Sequence, residues 1–329
     1  MIIKNRYAQL ILIAIILASL PILLANHTYA LRVVITTLLF ACLSQAWNFL
    51  CGLSGYISLG HAAFFGIGGY VAILLANVFG LGLVPSILVA TALSTIIAIL
   101  IGLPTIRLKG HYFALATLAF GEIFRILANS WVALTGGPVG LSFDQQPDLI
   151  PSLPISNNIV IYYLLLLFFV VIYATFLMVE KNKLGYMLQA LRGSPLAAEL
   201  LGVPTVWVKL CAFIVSGCFI AVGGVIYAYY SRFIDPDGMF SLLDVSLLMA
   251  LICIVGGIGT IWGPLLGAIL IIPTEEILNS YFSGMGGVSY LTYAILLIAV
   301  ILFEPRGITH IINRALATIT RRDVNPNIT

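Results

Sequence analysis

The residues to examine for chemistry are the ionisable ones set inside apolar sequence. Glu122, Arg125 and Asn129 follow at helical spacing within the run that begins near Tyr112. Glu122 lies about ten residues into that run, roughly 15 Å along a helix and so close to mid-bilayer. The three share one helical face. A charge left alone at that depth is costly, so the face is expected to point into a helix bundle rather than at lipid. Two roles are open: Glu122 and Arg125 pair with each other at i, i+3, or the set serves a solute path or gate. His61 follows Gly60 among small residues. A histidine there is either a hydrogen-bonded packing element or, with Gly60, part of the same path.

Other chemistries lack their groups. His27, His61, His111 and His310 show no paired-ligand or HExxH-like spacing. Cys42, Cys51, Cys211, Cys218 and Cys253 lie in or beside apolar runs without metal-ligand spacing, and read as buried small hydrophobes. No Gly-x-x-x-x-Gly-Lys-[Ser/Thr] phosphate loop occurs, and no glycine is followed by lysine. The chain is therefore expected to carry no catalytic residue, no metal and no cofactor of its own. Energy for any transport must come from a partner or a gradient.

The elements that hold these residues follow from composition. Of the 329 residues, 61% are hydrophobic and only 8% are charged, with a mean hydropathy of +1.13, which leaves too little polar surface to cover a soluble globule. No basic patch supports a nucleic-acid role, so lipid is the expected solvent. Apolar runs long enough to cross a hydrocarbon layer of about 30 Å recur along the chain. They fall near residues 7–25, 31–50, 58–79, 83–103, 112–133, 158–179, 206–230 and 288–304, and the interrupted stretch 242–280 makes two passes or a re-entrant pair. The first run is read as an uncleaved span, with a cleaved signal peptide as the alternative. The expected fold is an all-α integral membrane protein: a polytopic helical bundle of about eight to ten passes, with glycine-rich broken or re-entrant helices and a short cytoplasmic coupling helix.

Charge sets the orientation. With the N-terminus inside, Lys4, Arg6, Arg107, Lys109, Lys181, Lys183, Arg192, Lys209, Arg306, Arg314, Arg321 and Arg322 fall on the cytoplasmic side. Only Arg32 and Arg232 then lie outside. The loop of about 134–157 is then periplasmic, and 180–205 and the 305–329 tail are cytoplasmic. Within 180–205, Ser194 can cap a helix, Pro195 suits its first position, Ala197, Ala198 and Glu199 propagate it, and Gly202 with Pro204 ends it. The product is a two-turn helix roughly 10 Å long. A helix so short needs a partner to pack on. It is either a coupling helix seated on a cytoplasmic ATPase or a simple connector.

Two glycine clusters interrupt the apolar runs, one through Gly52, Gly55, Gly60, Gly66, Gly68 and Gly69, the other through Gly256, Gly257, Gly259, Gly263 and Gly267. The spacing of Gly259, Gly263 and Gly267 suits close helix packing. Alternatively, the clusters are breaks whose freed backbone lines a cavity, which would bring Gly257 and Gly259 into the path.

The stretch Ser54-Gly55-Tyr56-Ile57-Ser58-Leu59-Gly60-His61-Ala62-Ala63-Phe64-Phe65-Gly66-Ile67-Gly68-Gly69-Tyr70 resembles the signature of LivM-type permeases of branched-chain amino acid ABC importers. Leu108 to Ala114, Thr117 to Arg125, Leu134 to Gly140, Ala197 to Val203 and Gly256 to Pro264 are similar to further blocks of that family, in the same order. The resemblance implies one transmembrane permease domain over 1–329 in a bacterial inner membrane, carrying branched-chain or neutral amino acids inward. It also implies a LivH-type partner permease, two cytoplasmic ATPase subunits that hold ATP and magnesium, and a periplasmic solute-binding protein. It favours the coupling-helix reading, although Ala197-Ala198-Glu199 replaces the more usual glutamate ahead of two alanines. The same family includes urea and short-amide importers. The rival outside it is a gradient-driven secondary transporter that would use Glu122 for proton coupling.

Overall fold

The computed structural model describes residues 6–24, 27–108, 110–144, 158–281, 294–295, 298 and 307–310. Helices dominate it because a chain in lipid must satisfy its backbone polar groups within each segment. They are α1 (Arg6–Leu24), α2 (Thr28–Ser54), α3 (His61–Phe79), α4 (Leu83–Thr105), α5 (His111–Ser130), α6 (Val132–Thr135), α7 (Asn158–Lys181), α8 (Lys183–Gly193), α9 (Pro195–Leu200), α10 (Thr205–Ser231), α11 (Pro236–Met239), α12 (Leu248–Gly256) and α13 (Gly263–Tyr281). A π-helical turn, Leu242–Leu247, leads into α12.

By length and composition, seven helical stretches among the described residues can cross a membrane, the seventh running from Pro236 to Gly256. A polytopic helical membrane protein is thereby shown. The 242–280 stretch forms two helical segments, the π turn with α12 and then α13, joined by a turn at 257–262. α1 is the shorter apolar helix. The expected span at 288–304 lies outside the described residues except for Ala294, Ile295 and Ile298, as do residues 145–157 of the 134–157 loop and all of the 305–329 tail except 307–310.

The centre of the bundle is α2, whose residues from Ala41 to Ser54 are all buried. It packs against α1, α7, α8, α10, α12 and α13. α3 and α10 pack closely, and glycine makes that possible on both sides: a Cβ on Gly68 would strike the Ala221 carbonyl, and one on Gly224 the Phe65 carbonyl. Gly267 of α13 stands in the same way against the Ile252 carbonyl of α12. Gly259 does not continue that face. It lies in the turn, with φ 78, because the stretch 257–262 leaves the helix.

Two features differ from the expectation. First, a two-residue ribbon interrupts the all-helical pattern, pairing β1 (Leu141–Ser142) with β2 (Phe233–Ile234) antiparallel. It is local: Gly140, at φ 77, lets the chain pass close to the Ile234 carbonyl, and Asn77 holds the ribbon by donating to the Ser142 carbonyl at 2.8 Å. Second, only Cys42, Cys51 and Cys253 are buried; Cys211 is exposed and Cys218 half-buried on α10, where apolar surface at a lipid face needs no cover.

Arg6 at the start of α1 pairs with Glu180 at the end of α7 at 2.6 Å, and Lys181 lies over the Tyr7 ring at 4.9 Å. These contacts put the start of α1 at the end of the bundle that carries α8 and α9. The ribbon, α6 and α11 lie at the other end. Because Gly224 has no room for a side chain, Gly224→Leu is expected to cost about 1–3 kcal/mol. Thermal unfolding in detergent reads this as a clear fall in midpoint, whereas the midpoint falls less for the same change at Gly193, where a Cβ meets nothing within 4 Å.

Candidate functional site

Glu122, Arg125 and Asn129 do share a face of α5, and a residue not foreseen completes the group. The Arg125 guanidinium donates to Glu122 through Nε at 2.9 Å and Nη2 at 2.5 Å, and through Nη1 to Asp237 of α11 at 2.5 Å. Asn129 Nδ2 donates to the same Asp237 oxygen at 3.1 Å and to the Arg125 carbonyl at 3.2 Å. The i, i+3 pairing is present. This chain covers the face only in part: the side chains of Glu122, Arg125 and Asp237 are 40%, 34% and 63% exposed. α5 buries Phe113, Thr117, Gly121 and Ala128 on its other side.

The charges are held in place by the loop between α2 and α3. α2 ends with Gly55 in the left-handed region, φ 77, its N–H on the Cys51 carbonyl. The chain then runs through residues 55–60, where Ser58 and Gly60 are buried while Gly55 and Ile57 are exposed. Trp47 Nε1 donates to the Ser58 carbonyl at 2.8 Å, and the Leu59 N–H donates to Thr117 Oγ1 of α5 at 3.1 Å. Gly60 has no room for a Cβ because the Thr117 carbonyl occupies that space. His61 opens α3, fully buried, with Nε2 at 2.8 Å from Ser216 Oγ. The Ala62 N–H donates to Ser246 Oγ at 2.9 Å. Ser246 lies about ten residues, or roughly 15 Å of helix, before the Gly256 end of its segment. α3 therefore starts within the bundle and not at its edge.

The second break, at 257–262, is closed by side chains. Gly257 has φ 124 and Gly259 φ 78. Asn48 of α2, fully buried, accepts from the Gly259 N–H at 2.8 Å and donates to the Thr260 carbonyl at 2.9 Å. Thr260 Oγ1 donates to the Gly257 carbonyl at 2.8 Å and accepts from the Gly263 N–H at 3.1 Å. A Cβ on Gly307 would strike Gly257, so the start of the tail packs here as well. The freed backbone groups named here are met by protein rather than by a cavity.

The short helix in the 180–205 loop forms as its signals specify. Ser194 Oγ accepts from the Ala197 N–H at 3.3 Å and Pro195 takes the first turn. At its end the Gly202 N–H reaches the Glu199 carbonyl and the Val203 N–H the Ala198 carbonyl, both at 3.0 Å. With Gly202 at φ 82, this is a Schellman closure. Ala198 is buried against the chain, while Leu196, Leu200 and Leu201 are 68%, 81% and 84% exposed. Ala197 and Glu199 are exposed too. An additional helix, α8, precedes it; the sequence reading did not separate this helix from the loop.

Three contributors escaped that reading. Asn48 is a neutral amide, passed over in a search for charge, though an amide at that depth is itself a signal. Asp237 sits in Asp235-Pro236-Asp237-Gly238, which reads as a turn. Arg192 was counted as one more loop cation, yet its Nη1 donates to the Gly52 carbonyl at 2.7 Å.

Comparison with known proteins gives a consistent result. A family model described as the permease component of branched-chain amino acid transport systems matches residues 29–303. The chain is 27% identical over 294 residues to the high-affinity branched-chain amino acid transport system permease protein LivM of Salmonella typhimurium, covering 83% of this chain and 68% of that one. It is 27% identical over 324 residues to the protein of the same name from Escherichia coli, covering 91% and 74%. It is also 30% identical over 139 residues to a probable branched-chain amino acid transport permease protein LivH of Methanocaldococcus jannaschii, covering 41% of this chain and 43% of that one. No solved structure matches it.

Removing Asn48 leaves the Gly259 N–H and Thr260 carbonyl without these partners in a buried site. Asn48→Ala is expected to destabilise the protein by about 1–3 kcal/mol. The check is thermal unfolding in detergent, together with faster hydrogen exchange confined at first to residues 257–263.

Proposed function

Since the chain belongs to the family of permease components of branched-chain amino acid transport systems, we propose that it is the membrane-spanning subunit of an ATP-driven importer of branched-chain or related neutral amino acids. The observation that carries this beyond family membership is the open face of α5. Glu122 and Arg125 of α5, with Asp237 of α11 beside them, expose charge of both signs on a helix long and apolar enough to cross a membrane. Such a face is not left to lipid. A second permease of the LivH type covers it, and the space between the two chains is the solute path. Both signs of charge suit a solute that carries an ammonium and a carboxylate.

In this reading Gly60 and His61, at the buried start of α3, and Gly257 and Gly259, in the turn beside Asn48, belong to the gate at the inner end of that path. The bundle lies in a bacterial inner membrane with both termini cytoplasmic. Arg6, Lys181, Lys183, Arg192 and Lys209 then cluster at the inner end, in keeping with the positive-inside bias. α9 is the coupling helix. It packs on its own chain through Ala198 and turns Leu196, Leu200 and Leu201 outward, an apolar patch suited to a cleft in an ATPase subunit. Two such subunits supply ATP and magnesium, one beneath each permease, and a periplasmic binding protein delivers the solute. Ala198 faces the chain itself, so the docking surface is tested at the leucines.

Leu200→Glu combined with Leu201→Glu is expected to lower co-purification of the ATPase subunits at least tenfold, about 1.4 kcal/mol or more of binding, with the permease pair intact. Unchanged ATPase recovery would refute the docking surface. Arg125→Gln removes the cation that Glu122 and Asp237 share, and leucine uptake into proteoliposomes is expected to fall by about tenfold or more while ATPase recovery stays normal. Uptake by the chain under a proton gradient alone, without ATPase subunits, would replace this reading with a secondary transporter. Stimulation only by a urea-loaded or amide-loaded binding protein would change the solute.

A further inference from the structure

We propose that the 55–60 loop receives the movement of α9 through two cations, Arg192 and Lys209, that flank α9 in sequence and hold adjacent residues of the loop. The inference rests on the importer reading, in which α9 seats on an ATPase subunit. Arg192 lies in the last turn of α8 and Lys209 in the first turns of α10. α9 stands between them, so a displacement of α9 reaches both.

Arg192 acts at the end of α2. The last carbonyls of a helix lack partners within it, and that end carries partial negative charge, which suits a cation. The guanidinium meets the Gly52 carbonyl at 2.7 Å. The side-chain stem runs past Gly55, where a Cβ would lie 3.4 Å from Arg192 Cγ. A Cβ on Gly259 would strike Nη1 of the same residue. One side chain thus touches the end of α2, the first residue of the loop and the turn between α12 and α13.

Lys209 acts one residue further on. It is buried, with its ammonium 3.8 Å from the centre of the Tyr56 ring. A desolvated cation at that distance is held by the ring face. Tyr56 in turn packs edge-on against Phe113 of α5 at 5.8 Å, and Phe113 packs against Phe213 of α10 at 6.3 Å. Leu59 and Gly60 then meet Thr117 of α5. Glu122 and Arg125 follow Thr117 on the same helix. A push on α9 therefore has a contiguous route of packed groups through the loop to α5 and to the start of α3. Arg192 and Lys209 are positioning residues, since neither touches solute or nucleotide.

The test uses the full complex of both permeases and the ATPase subunits in proteoliposomes, with leucine-loaded binding protein and radiolabelled leucine. The variants are Arg192→Met and Lys209→Met, alone and together. Methionine keeps the stem packing and removes the donor. ATPase recovery and basal hydrolysis are expected to stay within about twofold of the wild type, while leucine imported per ATP hydrolysed falls about tenfold in the double variant. Arg192→Lys and Lys209→Arg restore the ratio to within about threefold. Tyr56→Leu, which leaves both cations in place, matches Lys209→Met and adds nothing to it.

A double variant with the wild-type ratio overturns the proposal. So does a loss of ATPase recovery with an unchanged ratio, because the cations would then only seat α9. Additive effects of Tyr56→Leu and Lys209→Met overturn it as well. A wild-type complex that recovers no ATPase overturns the importer reading and this proposal with it, whereas normal recovery with unaltered coupling overturns this proposal alone.

Discussion

The structure depends on one constraint: backbone polar groups released where a helix breaks inside lipid must find partners within the protein. α2 meets it for both breaks. Trp47 takes the Ser58 carbonyl of the first, Asn48 takes Gly259 and Thr260 of the second, and the Gly52 carbonyl at its own end is met by Arg192. These residues occupy neighbouring positions on one helix, which explains why α2 sits at the centre and why its inner half is entirely buried.

Much of this was legible from local chemistry. The cap, first proline and terminal glycine of α9 are each a response to unpaired backbone at a helix end, and such signals need no knowledge of the rest of the chain. The pairing of Glu122 with Arg125 follows from helical spacing in the same way. What could not be read depends on residues distant in sequence. Gly259 has the spacing of a packing face but belongs to a turn, because Asn48, some two hundred residues away, holds it there. The α5 cluster is half-buried, and its partner Asp237 lies on α11, far along the chain, so helical spacing alone could not name it.

The α5 cluster contrasts with the aliphatic surface elsewhere on the bundle. α4 and α7 present large aliphatic side chains outward, among them Leu88, Ile96, Leu100 and Leu167, as a lipid-facing wall does. The charged group on α5, with Asp237 beside it, is unlike them. It is pinned from behind by small and β-branched residues, Gly60, Thr117 and Gly121, which let the 55–60 loop approach the helix backbone.

α9 divides its residues between two audiences. Ala198 faces its own chain, and Leu196, Leu200 and Leu201 face away from it. A methyl group is a modest anchor, and it leaves the outward side chains free of any duty to the bundle. Substitution there can proceed by drift without disturbing the membrane core, so the outward face of α9 and the packed spans are able to diversify separately. The outward positions at this helix can therefore accumulate changes that leave the packing of the spans as it is.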